Sequence, residues 1–259
     1  MDDRKRKSIF VTEAAGGIGS AVVQKFARKG WIVGAYDLTE PTFSGELADH
    51  PNVITGVLDV TDPDNWDRAL AEFAEHTGGL IDVLDNNAGV IISGPVAQEK
   101  PEDIKKVVDI NATAILLGAR AVYPYLKRSR GQLLNMSSAA AVAGQPGIAA
   151  YCATKFFVQG VTESLRLEWE KDGIRVVDIM PLWAKTPFAQ NSAASVRKLG
   201  VHIRPEQVAD RVWAAVHPRT GWERATVHYG VSLLDRGLKN ISGYIPDRVT
   251  RQLVRIVAS

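Results

Sequence analysis

Ile9-Phe10-Val11-Thr12-Glu13-Ala14-Ala15-Gly16-Gly17-Ile18-Gly19 stands near the start of the sequence and decides how the rest is read. A short apolar run suited to a buried strand leads into glycines, and an amphipathic helical pattern follows over Gly17–Lys29. Glycines at such a turn let the backbone approach a pyrophosphate, and the helix N-terminus favours its negative charge. Glycines alone say little. Strand, glycines and helix in that order is the context that gives them meaning.

The same alternation continues along the chain. Strand candidates are Ser8–Val11, Trp31–Asp37, Val53–Leu58, Leu80–Asn86, Gln132–Met136, Arg175–Met180 and Ala225–Tyr229. Further helical patterns run over Pro63–Glu75, Pro101–Arg128, Ala150–Lys171 and Pro205–Val216. Pro63, Pro101 and Pro205 each suit a first helical turn, where the missing N–H costs nothing. Alternating βα units call for a parallel sheet covered by helices on both faces. The expected fold is therefore α/β: one doubly wound, Rossmann-like domain over 1–259 with a parallel seven-stranded sheet. Its nucleotide-binding half spans about 8–136 and its substrate-side half about 137–259.

The second strand ends at Asp37, followed by Leu38 and Thr39 rather than a cation. A carboxylate there accepts both ribose hydroxyls of NAD and repels the 2′-phosphate of NADP, so NAD(H) is favoured over NADP(H). Farther on, Tyr151 and Lys155 stand four apart, one turn from each other on a single helix face. An ammonium so placed favours the phenolate and brings tyrosine's proton transfer below its free pKa of about 10. Ser138 arrives from a separate segment to hold a substrate oxygen beside that phenol.

Composition bounds the alternatives. Of 259 residues, 46% are hydrophobic and 23% charged, as in a soluble globular protein, and the net charge of +2 points to no nucleic-acid partner. The single cysteine, Cys152, excludes an internal disulfide and fits a reducing, cytoplasmic compartment. No apolar run is long enough to span a bilayer, so no membrane contact is expected. There is no G-x-S-x-G elbow, H-E-x-x-H pair or CxxC cluster, which argues against a hydrolase and against a metal site.

With these pieces assembled, the chain resembles the short-chain dehydrogenase/reductase family over nearly its whole length. Thr12–Gly19 is similar to the family's T-G-x-x-x-G-x-G loop, which implies cofactor contacts from Thr12, Ala14, Gly17, Ile18 and Gly19. Leu58-Asp59-Val60 resembles its adenine-contacting segment, implying Asp59 and Val60. Asn86-Asn87-Ala88-Gly89 matches N-N-A-G, implying Asn87, Ala88 and Gly89. The resemblance further implies cofactor contacts from Asp37, Leu38, Tyr151, Lys155, Pro181 and Thr186, the last beside the nicotinamide carboxamide. Asn111 falls where the family places a catalytic asparagine, and Ser138, Tyr151 and Lys155 complete the catalytic set. In that scheme Tyr151 exchanges the proton with the alcohol or ketone oxygen. Ser138 polarises that oxygen, and Lys155 lowers the Tyr151 pKa and binds the ribose. Asn111 disturbs its helix so that a backbone carbonyl holds water leading to Lys155.

Two positions depart from the family pattern. Glu13 replaces the first loop glycine, and Leu182 follows Pro181 where glycine is usual. A side chain at a left-handed position costs on the order of 1–2 kcal/mol. A carboxylate about 5 Å from a phosphate adds roughly 3 kcal/mol of repulsion at an effective dielectric near 20. Either Glu13 faces the pyrophosphate and weakens binding, or it turns outward and caps nearby N–H groups. Trp183 and Phe188, in the segment Trp183–Val201, suggest an apolar substrate pocket, with Ala139–Pro146 and Phe156 across from them. The tail Ile241–Ser259 reads as an amphipathic helix bearing Arg248, Arg251 and Arg255. The expected function is an NAD(H)-dependent oxidoreductase interconverting a secondary alcohol and a ketone by hydride transfer. The alternatives are a non-catalytic nucleotide-binding protein and a 3-oxoacyl-thioester reductase. The resemblance also implies a homotetramer or homodimer built on Pro101–Arg128 and Ala150–Lys171.

Overall fold

A computed structural model describes residues 6–190, 196, 198, 200–232, 235, 237 and 247–258. Seven strands form one parallel sheet in the order β3-β2-β1-β4-β5-β6-β7. They are β1 (Ser8–Thr12), β2 (Ile32–Asp37), β3 (Val53–Val57), β4 (Val83–Asn86), β5 (Gln132–Met136), β6 (Arg175–Met180) and β7 (His228–Gly230). The helices are α1 (Gly17–Arg28), α2 (Pro63–Glu75), α3 (Pro101–Val108), α4 (Ala114–Ser129), α5 (Ala149–Glu168), α6 (Pro205–Val216), α7 (Gly221–Ala225) and α8 (Asp247–Ala258). This is the doubly wound α/β fold expected from the sequence. Among the described residues, no helix is long and apolar enough to cross a membrane.

Both sheet faces are covered, which is why the central strands read as continuous apolar runs rather than alternating ones. On β1, Ile9 and Val11 pack with Val22, Val23 and Phe26 of α1 and Val208 and Val212 of α6. Phe10, pointing the other way, packs with Trp66, Leu70 and Phe73 of α2 and Val122 and Leu126 of α4. All strands run the same way, so every connection into the next helix leaves at one edge of the sheet. Strand order reverses between β1 and β4, and the loops splay apart there to leave a crevice.

Two expectations are corrected in detail. The helix predicted over Pro101–Arg128 is interrupted by a wider π turn at Asp109–Thr113. The last strand lies at His228–Gly230, because Thr220 caps Glu223 and winds Gly221–Ala225 into α7. Over the described part of the tail, the expected helix is observed as α8, Asp247–Ala258. Residues 241–246 and 259, like 191–195, 197 and 199 of the expected substrate loop, lie outside the described residues.

Candidate active site

The loops at the C-terminal edge of the sheet enclose a cleft of about 420 Å³. One end is formed by the glycine loop (Glu13, Gly16, Gly17 and Ile18) with Asn87 and Gly89 after β4. Ser138, Tyr151, Lys155 and Pro181 meet at its centre, and Ile91, Leu182, Trp183, Thr186 and Phe188 form the other end. Residues predicted from five separate segments thus share one cavity.

The centre is assembled by α5. Tyr151 and Lys155 lie one turn apart on its buried face, and Lys155 Nζ sits 5.5 Å from the Tyr151 ring centroid. That ammonium donates to the Met136 carbonyl at the end of β5, 2.8 Å away. Ser138, just past β5, lines the same cleft as Tyr151; its Oγ accepts from Ala140 N at 3.2 Å and is 3.4 Å from the Pro181 carbonyl. Phe188 closes over Tyr151 with ring centroids 5.8 Å apart. Trp183 and Phe188 pack with Ile91 against Ala140, Ile148 and Tyr151, so both predicted substrate residues reach the cleft.

Electrostatically the pair departs from the sequence expectation. Burial raises the Tyr151 pKa, more than the neighbouring Ser138 hydroxyl lowers it. Burial also pushes the Lys155 ammonium down to about 8, against the opposing pull of the Glu13 and Asp178 carboxylates. Within the protein's own groups, then, Lys155 does not bring the phenol below its free value. The ammonium lies over the ring and is tied to Met136, and desolvation favours the neutral form of both groups.

Asn111 occupies the π turn, fully buried and outside the cleft lining. Its Oδ1 accepts from Val90 N and its Nδ2 donates to Val90 O, both at 2.8 Å, and Nδ2 also lies 3.3 Å from Thr154 Oγ1 of α5. The side chain therefore fastens α3–α4 to the β4 loop and to the turn of α5 that carries Lys155. A π turn at such a junction recurs at functional sites.

The remaining predicted cofactor residues fall into two groups. Thr12, Ala14 and Gly19 lie beneath the loop as its support. Thr12 Oγ1 accepts from Asn87 N and Ala88 N, each at 3.0 Å, which latches the end of β4 to β1. A Cβ on Gly19 would sit 2.1 Å from the Glu13 carbonyl oxygen, so this glycine serves close packing. Asp37, Leu38, Asp59, Val60 and Ala88 lie outside the cleft lining, near the same sheet edge. Asp37 Oδ2 accepts from Ala15 N at 2.9 Å and its Oδ1 from Leu38 N at 2.7 Å, fixing the carboxylate beside the glycine loop. Asp59 instead accepts from the backbone and hydroxyl of Thr61.

Glu13 combines the two alternatives left open by the sequence: it lines the cleft, and its carboxylate also caps a nearby N–H. Its backbone is left-handed, with φ of 51°. Oε2 accepts from Gly89 N at 2.8 Å, across the mouth of the glycine loop. Sequence reasoning missed Val90, Ile91 and Met136, although Val90 and Ile91 directly follow the predicted Asn86–Gly89 segment. Val142, Pro146 and Phe156 do not line this cleft; they line a neighbouring groove with Cys152 and, on α8, Thr250, Arg251, Val254 and Arg255.

Comparison with known proteins agrees with this fold. The pattern of the short chain dehydrogenase family matches residues 7–197. A 2,5-dichloro-2,5-cyclohexadiene-1,4-diol dehydrogenase of Sphingobium indicum is 36% identical over 197 residues, covering 74% of this chain and 78% of that protein. A 3-alpha-(or 20-beta)-hydroxysteroid dehydrogenase of Mycobacterium bovis is 36% identical over 186 residues, 70% of each chain. Among solved structures, a short chain dehydrogenase from Burkholderia cenocepacia in complex with NADP superposes with a TM-score of 0.80 at 22% identity, covering 95% of this chain and 97% of that one. On the matching pattern and these relatives, the chain belongs to the short-chain dehydrogenase family of oxidoreductases.

Proposed function

We propose that this protein interconverts an apolar, ring-bearing secondary alcohol and its ketone, with NAD(H) as the redox partner. The observation that carries the reading is the meeting of Ser138, Tyr151 and Lys155, with the ammonium over the phenol ring, in a cleft that the glycine loop also lines.

The residues fit a dinucleotide. Gly16, Gly17 and Ile18 line the cleft where α1 begins, and the residue before the helix, Gly16, has no side chain to cap it, which leaves the first N–H groups to an anion. Gly17 has φ of 55°, and a Cβ there would crowd Thr186 Cγ2 at 3.2 Å, narrowing the passage between the two ends of the cleft. Asp37, held by Ala15 N and Leu38 N, is placed to accept ribose hydroxyls and to oppose a 2′-phosphate. A bound nicotinamide dinucleotide supplies or accepts the hydride.

The protein's residues do the rest. Tyr151, kept protonated by burial, gives its proton to a ketone oxygen and takes it back from an alcohol. Ser138 holds that oxygen by its hydroxyl, and Lys155 provides positive charge next to the phenol as the proton leaves. Asn111 positions α5 from behind. Ile91, Leu182, Trp183 and Phe188 offer the substrate an apolar wall and help exclude water. Both named relatives are dehydrogenases of ring compounds, which supports a cyclic substrate here.

Half-exposed or exposed apolar side chains Val108, Leu116, Phe156, Phe157 and Leu167 lie on α3, α4 and α5, which supports a homo-oligomer assembled on those helices. The test of function is a spectrophotometric screen of NAD and NADP against cyclic and acyclic secondary alcohols. Turnover of a ring alcohol with NAD is expected. No reduced cofactor with any alcohol, under conditions where NAD binds, would refute the reading.

A further inference from the structure

Among the described residues, the ionisable side chains lining the cleft are Glu13, Tyr151 and Lys155. The single ammonium among them is directed to the Met136 carbonyl. What these residues offer an anion at the glycine loop is therefore backbone N–H groups, with Glu13 at the same mouth. This carboxyl is not free to swing away without loss. It is anchored by Gly89 N, while Asn87 Nδ2 approaches the Glu13 carbonyl at 3.3 Å and Ala14 N bonds Tyr36 O at 3.1 Å. A left-handed backbone at a non-glycine residue adds strain that these contacts hold in place.

The charged groups facing Glu13 are Asp37 at the end of β2 and Lys155 on α5, and they act in opposite senses. Although water reaches Glu13 through the open cleft, surrounding protein thins its hydration and is the largest influence on it, pushing its pKa up to about 7; the Gly89 N–H acts against that shift. An anionic ligand filling the cleft displaces that water and adds a like charge, and both changes favour the neutral acid.

We propose, resting on the dinucleotide reading above, that Glu13 is a proton-linked specificity residue for the cofactor: the pyrophosphate-bearing ligand is accepted with Glu13 protonated. The proton comes from solvent and goes to a carboxyl oxygen. The other oxygen keeps the Gly89 N–H as its donor, and no other bond changes. At acid pH Glu13 is a neutral neighbour to the ligand; at alkaline pH it is a counter-charge to Lys155 that must first be neutralised.

Isothermal titration of NAD into the purified protein tests this, at about pH 6, 7 and 8 in buffers of different ionisation enthalpy. Proton uptake near one per bound NAD is expected at about pH 8 and close to none at about pH 6, with Kd weakened about tenfold between them. Glu13→Gln removes the uptake and flattens the curve, leaving only what Lys155 and Tyr151 contribute; Glu13→Gly does the same without the side chain. NAD binding to the wild type with no proton uptake and a pH-independent Kd overturns the proposal while leaving the dinucleotide reading intact. Binding by Glu13→Gln alone supports it in its strongest form. No binding by wild type or either variant across this range refutes the dinucleotide reading and this proposal with it.

Discussion

Asp85 of β4 offers the sharpest test of how this core is built. Its register partners are Val11 on β1 and Leu134 on β5, both fully buried, so the carboxyl sits in an apolar row facing α1 and α6. Asp85 is itself fully buried, and neither carboxyl oxygen has a hydrogen-bond partner among the described residues. Burial pushes its pKa up to about 8. In the unfolded chain the same group ionises near 3.9. The folded value lies above the unfolded one, so the unfolded state gives up the proton first. Stability therefore falls as pH rises from about 4 to about 8, by about 1.4 kcal/mol per unit, and levels off beyond. Asp85→Asn keeps the shape and removes the titration; its amide is as unpartnered as the neutral acid, a cost that does not vary with pH. Urea denaturation of both proteins at about pH 5 and about pH 8 should show the variant gaining about 4 kcal/mol relative to wild type over that interval. The comparison with wild type cancels the contribution of Glu13. Parallel stability–pH curves would refute the reasoning, since they require Asp85 to be ionised or partnered in the fold.

Other perturbations probe separate parts of the account. Arg175 donates to Tyr229 Oη at 2.5 Å and to Gln132 Oε1 at 2.9 Å, and also bonds the Ala215 carbonyl, joining β5, β6, β7 and α6. Arg175→Ala should cost about 3 kcal/mol in chemical denaturation, because several buried acceptors lose their donor together. Gly19→Ala puts a methyl 2.1 Å from the Glu13 carbonyl, so a loss of about 1–3 kcal/mol and much weaker NAD binding should appear in thermal melts with and without NAD. Asp37→Ala should weaken NAD and relax discrimination against NADP, read as the ratio of the two dissociation constants. Because burial keeps Tyr151 protonated, alcohol oxidation should accelerate as pH rises above neutrality while ketone reduction does not, which initial rates in both directions will show.

Much of this was readable in the sequence, for local reasons. Gln132–Met136 and Arg175–Met180 were expected end to end, because a strand buried on both faces must be apolar along its centre. Pro63, Pro101 and Pro205 each begin a helix as their fixed φ suggests. The strand expected over Leu80–Asn86 shortens to Val83–Asn86 because Asp82 turns to the Ser8 backbone N–H and hydroxyl. α7 was also legible in principle, since Thr220 with Glu223 three residues on is a helix-start signature that the neighbouring apolar run concealed. What stayed hidden depends on distant partners. The π turn at Asn111 follows from bonds to Val90, and the inward turn of Glu13 from Gly89, neither of which a local window contains. The pKa directions at Tyr151 and Lys155 were hidden for the same reason: spacing puts the two side chains on one helix face, but the depth of burial decides which form each prefers.

Tyr151→Phe compared with wild type, assayed for NADH formation with a ring alcohol and for NAD affinity by calorimetry, tests the central claim most directly. Loss of turnover by about a thousandfold or more is predicted, in the upper range for a single proton-transfer group, with NAD affinity changed by less than about twofold. Turnover within about tenfold of wild type would contradict it, because the phenol would then not be the group that moves the proton.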